Sequence, residues 1–116
     1  MKLKENRPES EIKKAILQYL NMQLQTFAFP VSTLGIPDAK SRTGFRKNPS
    51  KGVADIIGVK GIGQPEGGRF FALEVKRPGQ KPTEEQYEFL RNVAIAGGYA
   101  GVVHSVEDVI EAFKEI

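Results

Sequence analysis

Val53-Ala54-Asp55-Ile56-Ile57-Gly58-Val59 and Arg69-Phe70-Phe71-Ala72-Leu73-Glu74-Val75-Lys76 are the two runs whose reading decides the fold of this chain. Both are rich in β-branched and aromatic residues and bounded by Gly or Pro, which predicts two strands. The Gly-rich connection Lys60–Gly68 between them reads as a hairpin turn. Charged side chains inside such strands are costly unless they are paired or bound to a metal. Asp55, Glu74 and Lys76 nevertheless interrupt these runs. Alternation sets Glu74 and Lys76 on one face with Phe70 and Ala72, and Leu73 and Val75 on the other. A merely exposed face would carry more polar neighbours than Phe70 and Ala72 supply. Two carboxylates and an ammonium converging at a strand end can hold Mg²⁺ through hard oxygen ligands and place a cation beside an attacking water. Such a constellation suits the hydrolysis of a phosphodiester.

Working outward, Ser10 to about Gln23 predicts a first helix, with Ile12, Ile16, Tyr19, Leu20 and Leu24 at helical spacing. Ser10 or Asn6 is a candidate cap, with Pro8 in the first turn. Glu11 lies in that turn at the flank of the apolar stripe, near Ala15, where an acid also suits the helix dipole. Thr26-Phe27-Ala28-Phe29 predicts a short strand closed by Pro30. Residues 32–52 are the least regular stretch, with Lys40, Arg42, Arg46, Lys47 and Lys51 against the single acid Asp38. A loop of that length in a small domain is more often functional than filler. Past Lys76, Thr83-Glu84-Glu85-Gln86 is a capping box opening a helix to about Ala96, ended by Gly97-Gly98. Tyr99 to His104 predicts a strand, and Ser105 caps a final helix through Lys114. His104 reads as structural or surface-exposed. Gly61-Ile62-Gly63 is not a dinucleotide fingerprint, because no helix follows and no third glycine falls at the required place. The order α-β-β-β-α-β-α implies an α/β mixed sheet of three to four strands flanked by helices. Its Lys76-to-Tyr99 crossover should make a right-handed parallel βαβ unit.

The 116 residues suit one domain, 1–116, with a single core. No apolar stretch reaches the roughly 18 residues of a membrane span, so no membrane partner is expected. Met1-Lys2-Leu3-Lys4 has no apolar region behind it, and the chain contains no cysteine, which together favour a reducing cytoplasm. With one histidine and no thiol, a metal would need oxygen ligands, favouring Mg²⁺ or Mn²⁺. Residues 1–60 carry 11 Lys/Arg against 5 Asp/Glu, whereas residues 61–116 carry 6 against 9. That asymmetry points to a basic region facing a polyanion, for which Lys/Arg neutralisation of phosphates dominates affinity.

The order and spacing of these residues resemble the PD-(D/E)XK nuclease superfamily, an Asp on one strand followed by Glu-X-Lys on the next. More narrowly, Glu11, Gly52-Val53-Ala54-Asp55, Glu74-Val75-Lys76 and Gln86 resemble the VRR-NUC branch, in particular its short stand-alone members of phages and bacteria. The likeness runs from about Ser10 to the end, with Ala54 where the superfamily's name has Pro. It implies a restriction-endonuclease-like core and Mg²⁺- or Mn²⁺-dependent cutting of DNA to 5′-phosphate and 3′-hydroxyl ends. It also implies roles: Asp55, Glu74 and the Val75 carbonyl as metal ligands, and Lys76 as the group activating water. Glu11 would be an outer ligand or polarise water, Gln86 would face the metal, and Arg77 and Lys81 would touch the DNA backbone. The stand-alone members further resemble Holliday junction resolvases, homodimers that cut opposite strands of a four-way junction in bacterial or phage-infected cytoplasm. Two other readings are a flap or nicking nuclease on branched or single-stranded DNA, and a non-catalytic DNA-binding accessory module.

Overall fold

The computed structural model describes residues 7–32, 36–46, 51–63 and 67–116. Helix α1 (Glu9–Met22) leads into strand β1 (Thr26–Pro30), and two short strands, β2 (Ile36–Pro37) and β3 (Phe45–Arg46), follow. The long hairpin of β4 (Ile56–Gly63) and β5 (Gly67–Val75) comes next, then α2 (Glu84–Ile95), β6 (Tyr99–Val103) and α3 (Val106–Phe113). The main sheet runs β1-β4-β5-β6, antiparallel except for the parallel β5–β6 pair that α2 connects. This is a mixed four-stranded α/β sheet of restriction-endonuclease-like architecture.

Strand alternation divides the core in two. On one face, Phe71, Leu73 and Val75 of β5 join Ile56 and Ala28 against Ile12, Ile16 and Leu20 of α1 and Val109 of α3. Phe71 crosses Phe113 edge-on at 5.1 Å between ring centroids. Its ring also lies over Gly58, where an added Cβ would stand 2.3 Å from the Phe27 carbonyl and 2.6 Å from Phe71 Cζ. Only glycine fits there. On the other face Ala72 and Ala54 pack against Leu90 of α2.

Three local expectations need correction. The α1 cap is Pro8, whose carbonyl accepts from Glu11 N and Ile12 N; no side-chain hydrogen bond caps the helix, so Ser10 lies inside it. Asn6, the other candidate cap, is outside the described residues. Strand β4 begins at Ile56 rather than Val53, because the chain bends at Val53 and Asp55 and the Asp55 carboxylate takes the Val75 N–H that a ladder carbonyl would otherwise accept. The stretch after Pro30 holds a small hairpin, with Ile36 paired to Arg46 and Pro37 to Phe45. Its tip is tied by Asp38, whose carboxylate accepts from Lys40 N and whose N–H donates to the Gly44 carbonyl.

Candidate active site

The β4–β5 register brings the acidic groups together. Ile56 pairs with Leu73, so the residue before Ile56 comes opposite the residue after Leu73. Asp55 therefore faces Glu74 at the sheet end where β5 stops. Asp55 Oδ2 accepts from Val75 N at 2.9 Å, and its backbone carbonyl accepts from Val31 N, which also anchors the end of β1. Both acids are buried: Asp55 is 7% exposed and Glu74 1%. Lys76 Nζ stands 3.8 Å from Glu74 Oε1. The Lys76 backbone is fixed by its N–H to the Val103 carbonyl, and its own carbonyl accepts from His104 Nδ1 at 2.9 Å. The His104 N–H donates to Asp108 at the start of α3, so this histidine braces the strand end behind Lys76.

The electrostatics follow from that crowding. Burial, then hydrogen bonding to Asp55 and the charge of Asp55, push the Glu74 carboxyl up to about 8; Lys76 opposes the rise and Glu9 adds to it. Its Oε2 is buried with no hydrogen-bond partner. Two carboxyl groups held together with an orphaned oxygen form a site short of positive charge. A hard divalent cation would satisfy that oxygen and relieve the repulsion, so the donor set fits Mg²⁺ or Mn²⁺. Among the described residues no group of three or more His, Cys, Asp or Glu could hold a metal, so the side-chain donors at this site are the two acids.

Helix α1 contributes differently from expectation. Glu11 is exposed and stands about 200° around the helix from Glu9, turned away from the buried stripe. Glu9 is the α1 acid whose charge reaches Glu74. Lys13, one turn on, places Nζ 3.3 Å from Asp55 Oδ1. From sequence Glu9 reads only as a capping-box partner of Asn6, and Lys13 carries no role. The available signal was their i, i+4 spacing beside Ile12, Ile16 and Leu20, which puts them on the side that packs against the sheet.

Helix α2 begins beside the turn that precedes Asp55, because a Cβ on Gly52 would meet Glu85 Cβ at 3.2 Å. The capping box forms in full: Gln86 N donates to Thr83 Oγ1, and Gln86 Oε1 accepts from Thr83 N at 2.8 Å. The Gln86 oxygen is thus engaged in capping. Lys51, Arg77 and Lys81 are exposed on the segments that lead to Asp55 and from Lys76 toward α2. Lys40 and Arg42 are exposed on the β2–β3 hairpin. The Arg46 side chain and Lys47 lie outside the described residues.

The fold and the buried Asp-Glu-Lys cluster at the end of β5 define a restriction-endonuclease-like α/β domain. Among solved structures the chain is similar to one titled "VRR_NUC domain protein", with a TM-score of 0.59 and 19% identity over 95% of this chain and 88% of that one. At that identity the likeness is one of fold. No family model matches the sequence, and no curated protein matches it either.

Proposed function

We propose that the chain is a Mg²⁺- or Mn²⁺-dependent endonuclease that hydrolyses phosphodiester bonds in DNA. The observation that carries this reading is the buried Glu74 Oε2 left without a partner opposite Asp55, with an ammonium alongside. Asp55, Glu74 and the Val75 carbonyl would hold the ion. When bound, it supplies Lewis-acid polarisation of a phosphoryl oxygen and eases deprotonation of water. Asp55 is pre-set for its role because Val75 N–H already orients one of its oxygens. Lys76, anchored through both of its backbone groups, positions the attacking water and stabilises charge developing on the phosphoryl oxygens. The outer acidic role first given to Glu11 passes to Glu9. Gln86, with its oxygen engaged by Thr83, would offer the site its amide N–H groups. Lys51, Arg77 and Lys81 would hold the DNA backbone at the rim, and Lys40, Arg42, Arg46 and Lys47 farther along it.

The substrate we favour is branched DNA, in particular a four-way junction cut by a homodimer, since paired cuts need two sites at a fixed separation. Support comes from an uncovered apolar face. Phe27 pairs with Val59, and Val59 with Phe70, across three strands on the α2 side of the sheet, and the Phe29 ring lies tilted beside that of Phe27, 5.8 Å between centroids. Phe27 is 66% exposed and Phe29 44%, on an edge strand. The patch continues into a groove of about 470 Å³ lined by Phe27, Val59 and the glycines near the hairpin tip. A second copy is the occupant that a two-fold substrate calls for.

The test uses purified protein with linear, flap, splayed-arm and four-way DNAs, with and without Mg²⁺ or Mn²⁺. Metal-dependent paired nicks on the four-way DNA are expected. Preferred cutting of flaps by a monomer would favour the flap-nuclease reading. Junction binding with no cutting under any metal would leave a non-catalytic binding module.

A further inference from the structure

We infer that Lys13 is a resident cation of the acidic pair, occupying the more open oxygen of Asp55, so that metal binding proceeds by displacing the Lys13 ammonium. The inference rests on the metal-site reading above. Asp55 has two carboxylate oxygens with different partners. Oδ2 is committed to Val75 N–H at 2.9 Å. Oδ1 carries no backbone hydrogen bond and is the more open to an ion, and Lys13 Nζ stands 3.3 Å from it. Lysine and metal therefore compete for the open side of one carboxylate. The other ammonium of the cluster, Lys76, approaches Glu74 Oε1 instead, so it leaves Asp55 to Lys13.

The placement of Lys13 suits a group that comes and goes. Its side chain is 30% exposed whereas that of Asp55 is 11% exposed, so the acid is fixed and the lysine has a path to water. A four-carbon stem lets the ammonium swing out without moving the helix. The helix itself is locked by Ile12 and Ile16, both fully buried on either side of Lys13 in sequence. An ammonium at this point offsets the charge of the buried Asp55 carboxylate while no metal is bound. It also sets a threshold that an ion must exceed.

Mn²⁺ titration followed by electron paramagnetic resonance, with thermal melts in chelator and in saturating Mn²⁺, tests this on wild type, Lys13→Met and Lys13→Gln. Both variants should bind Mn²⁺ more tightly by roughly fivefold, the equilibrium weight of a partly exposed ion pair. Both should melt below wild type in chelator and regain most of that loss in Mn²⁺. Lys13→Gln keeps a polar group in place should Lys13→Met fail to fold. Unchanged or weaker Mn²⁺ binding by the variants, with wild type binding normally, overturns the role of Lys13 alone. No Mn²⁺ binding by any of the three at millimolar concentration overturns the metal-site reading and this inference with it.

Discussion

Glu74 concentrates the chemistry of the molecule in one carboxyl group, and its titration is the sharpest residue-level test. Its folded value is raised from 4.5 to about 8, so between those limits the native state binds a proton that the unfolded chain has lost. That contribution to stability is fully present below the unfolded value and is lost as pH rises through the folded one. In chelator the melting temperature should therefore fall by several degrees between about pH 5 and about pH 9. Because the ion needs the deprotonated acid, saturating Mg²⁺ should reverse the trend, and Mg²⁺ affinity should rise with pH up to about 8. Glu74→Gln should abolish both the slope and cutting; a pH slope that survives in this variant would assign it to another group. Lys76→Ala should remove at least about 10²-fold of the cutting rate while leaving Mn²⁺ binding and the melt near wild type. Single-turnover cleavage beside a Mn²⁺ titration checks this, and a rate within a few fold of wild type would remove Lys76 from the mechanism. Asp55, Glu74 and Lys76 were legible in sequence because charge inside an apolar strand needs a reason. Glu9 and Lys13 were not, because an acid or a lysine on an amphipathic helix looks like ordinary solvated surface until the sheet is placed against it.

At the scale of elements, the site depends on the turn that delivers Asp55. Periodicity reads Asp55 as part of a strand; the structure sets it just before one, where its carboxylate takes the Val75 N–H that a ladder carbonyl would otherwise accept. A side chain that replaces a ladder carbonyl leaves no mark in hydrophobic alternation, so periodicity alone could not locate this break. The capping box of α2 was legible, since Thr83 and Gln86 satisfy each other within four residues of sequence. The β2–β3 hairpin was not, having only two residues per strand and no alternation to read. Gly52→Ala should separate stability from function. Its φ of +92° strains any L side chain, and the new Cβ would press on Glu85 at 3.2 Å, three residues before Asp55. Gly97→Ala imposes a like strain at φ +100° with nothing within 4 Å, at the far end of α2. Each should cost about 1–2 kcal/mol of stability. Only Gly52→Ala should also weaken Mn²⁺ binding and cutting, as denaturant melts beside activity would show. Equal activities would mean that Asp55 finds its place without this turn.

For the whole molecule, chain order and hydrophobic alternation sufficed for the mixed sheet with helices on both faces, because each buried row needs a helix to cover it. What alternation could not foresee is how little of the second face α2 covers. Leu90 sits over Ala54 and Ala72, and the row Phe27, Val59, Phe70 is left outside it. No described helix is long and apolar enough to cross a membrane, and an uncovered apolar row of this kind is the surface on which the proposed second copy would sit. If a second copy covers it, a charge in its centre should split the dimer. Phe27→Glu lies on the edge strand, with its side chain exposed, so folding should survive while sedimentation shifts from dimer to monomer at micromolar concentration. Metal binding should be unchanged, because Asp55 and Glu74 each lie four residues along their strands from the Val59–Phe70 pair beside which Phe27 sits. Single nicks should then persist while paired cuts across a junction disappear. The rim cations test the DNA side independently of assembly. Neutralising Lys51, Arg77 and Lys81 together should lower affinity for all DNA sequences alike and flatten the slope of log K against log salt by up to about 3. A Phe27→Glu protein that stays dimeric would move the interface elsewhere. One that becomes monomeric yet still makes paired cuts would detach junction resolution from two-fold symmetry and leave a nuclease that works one strand at a time.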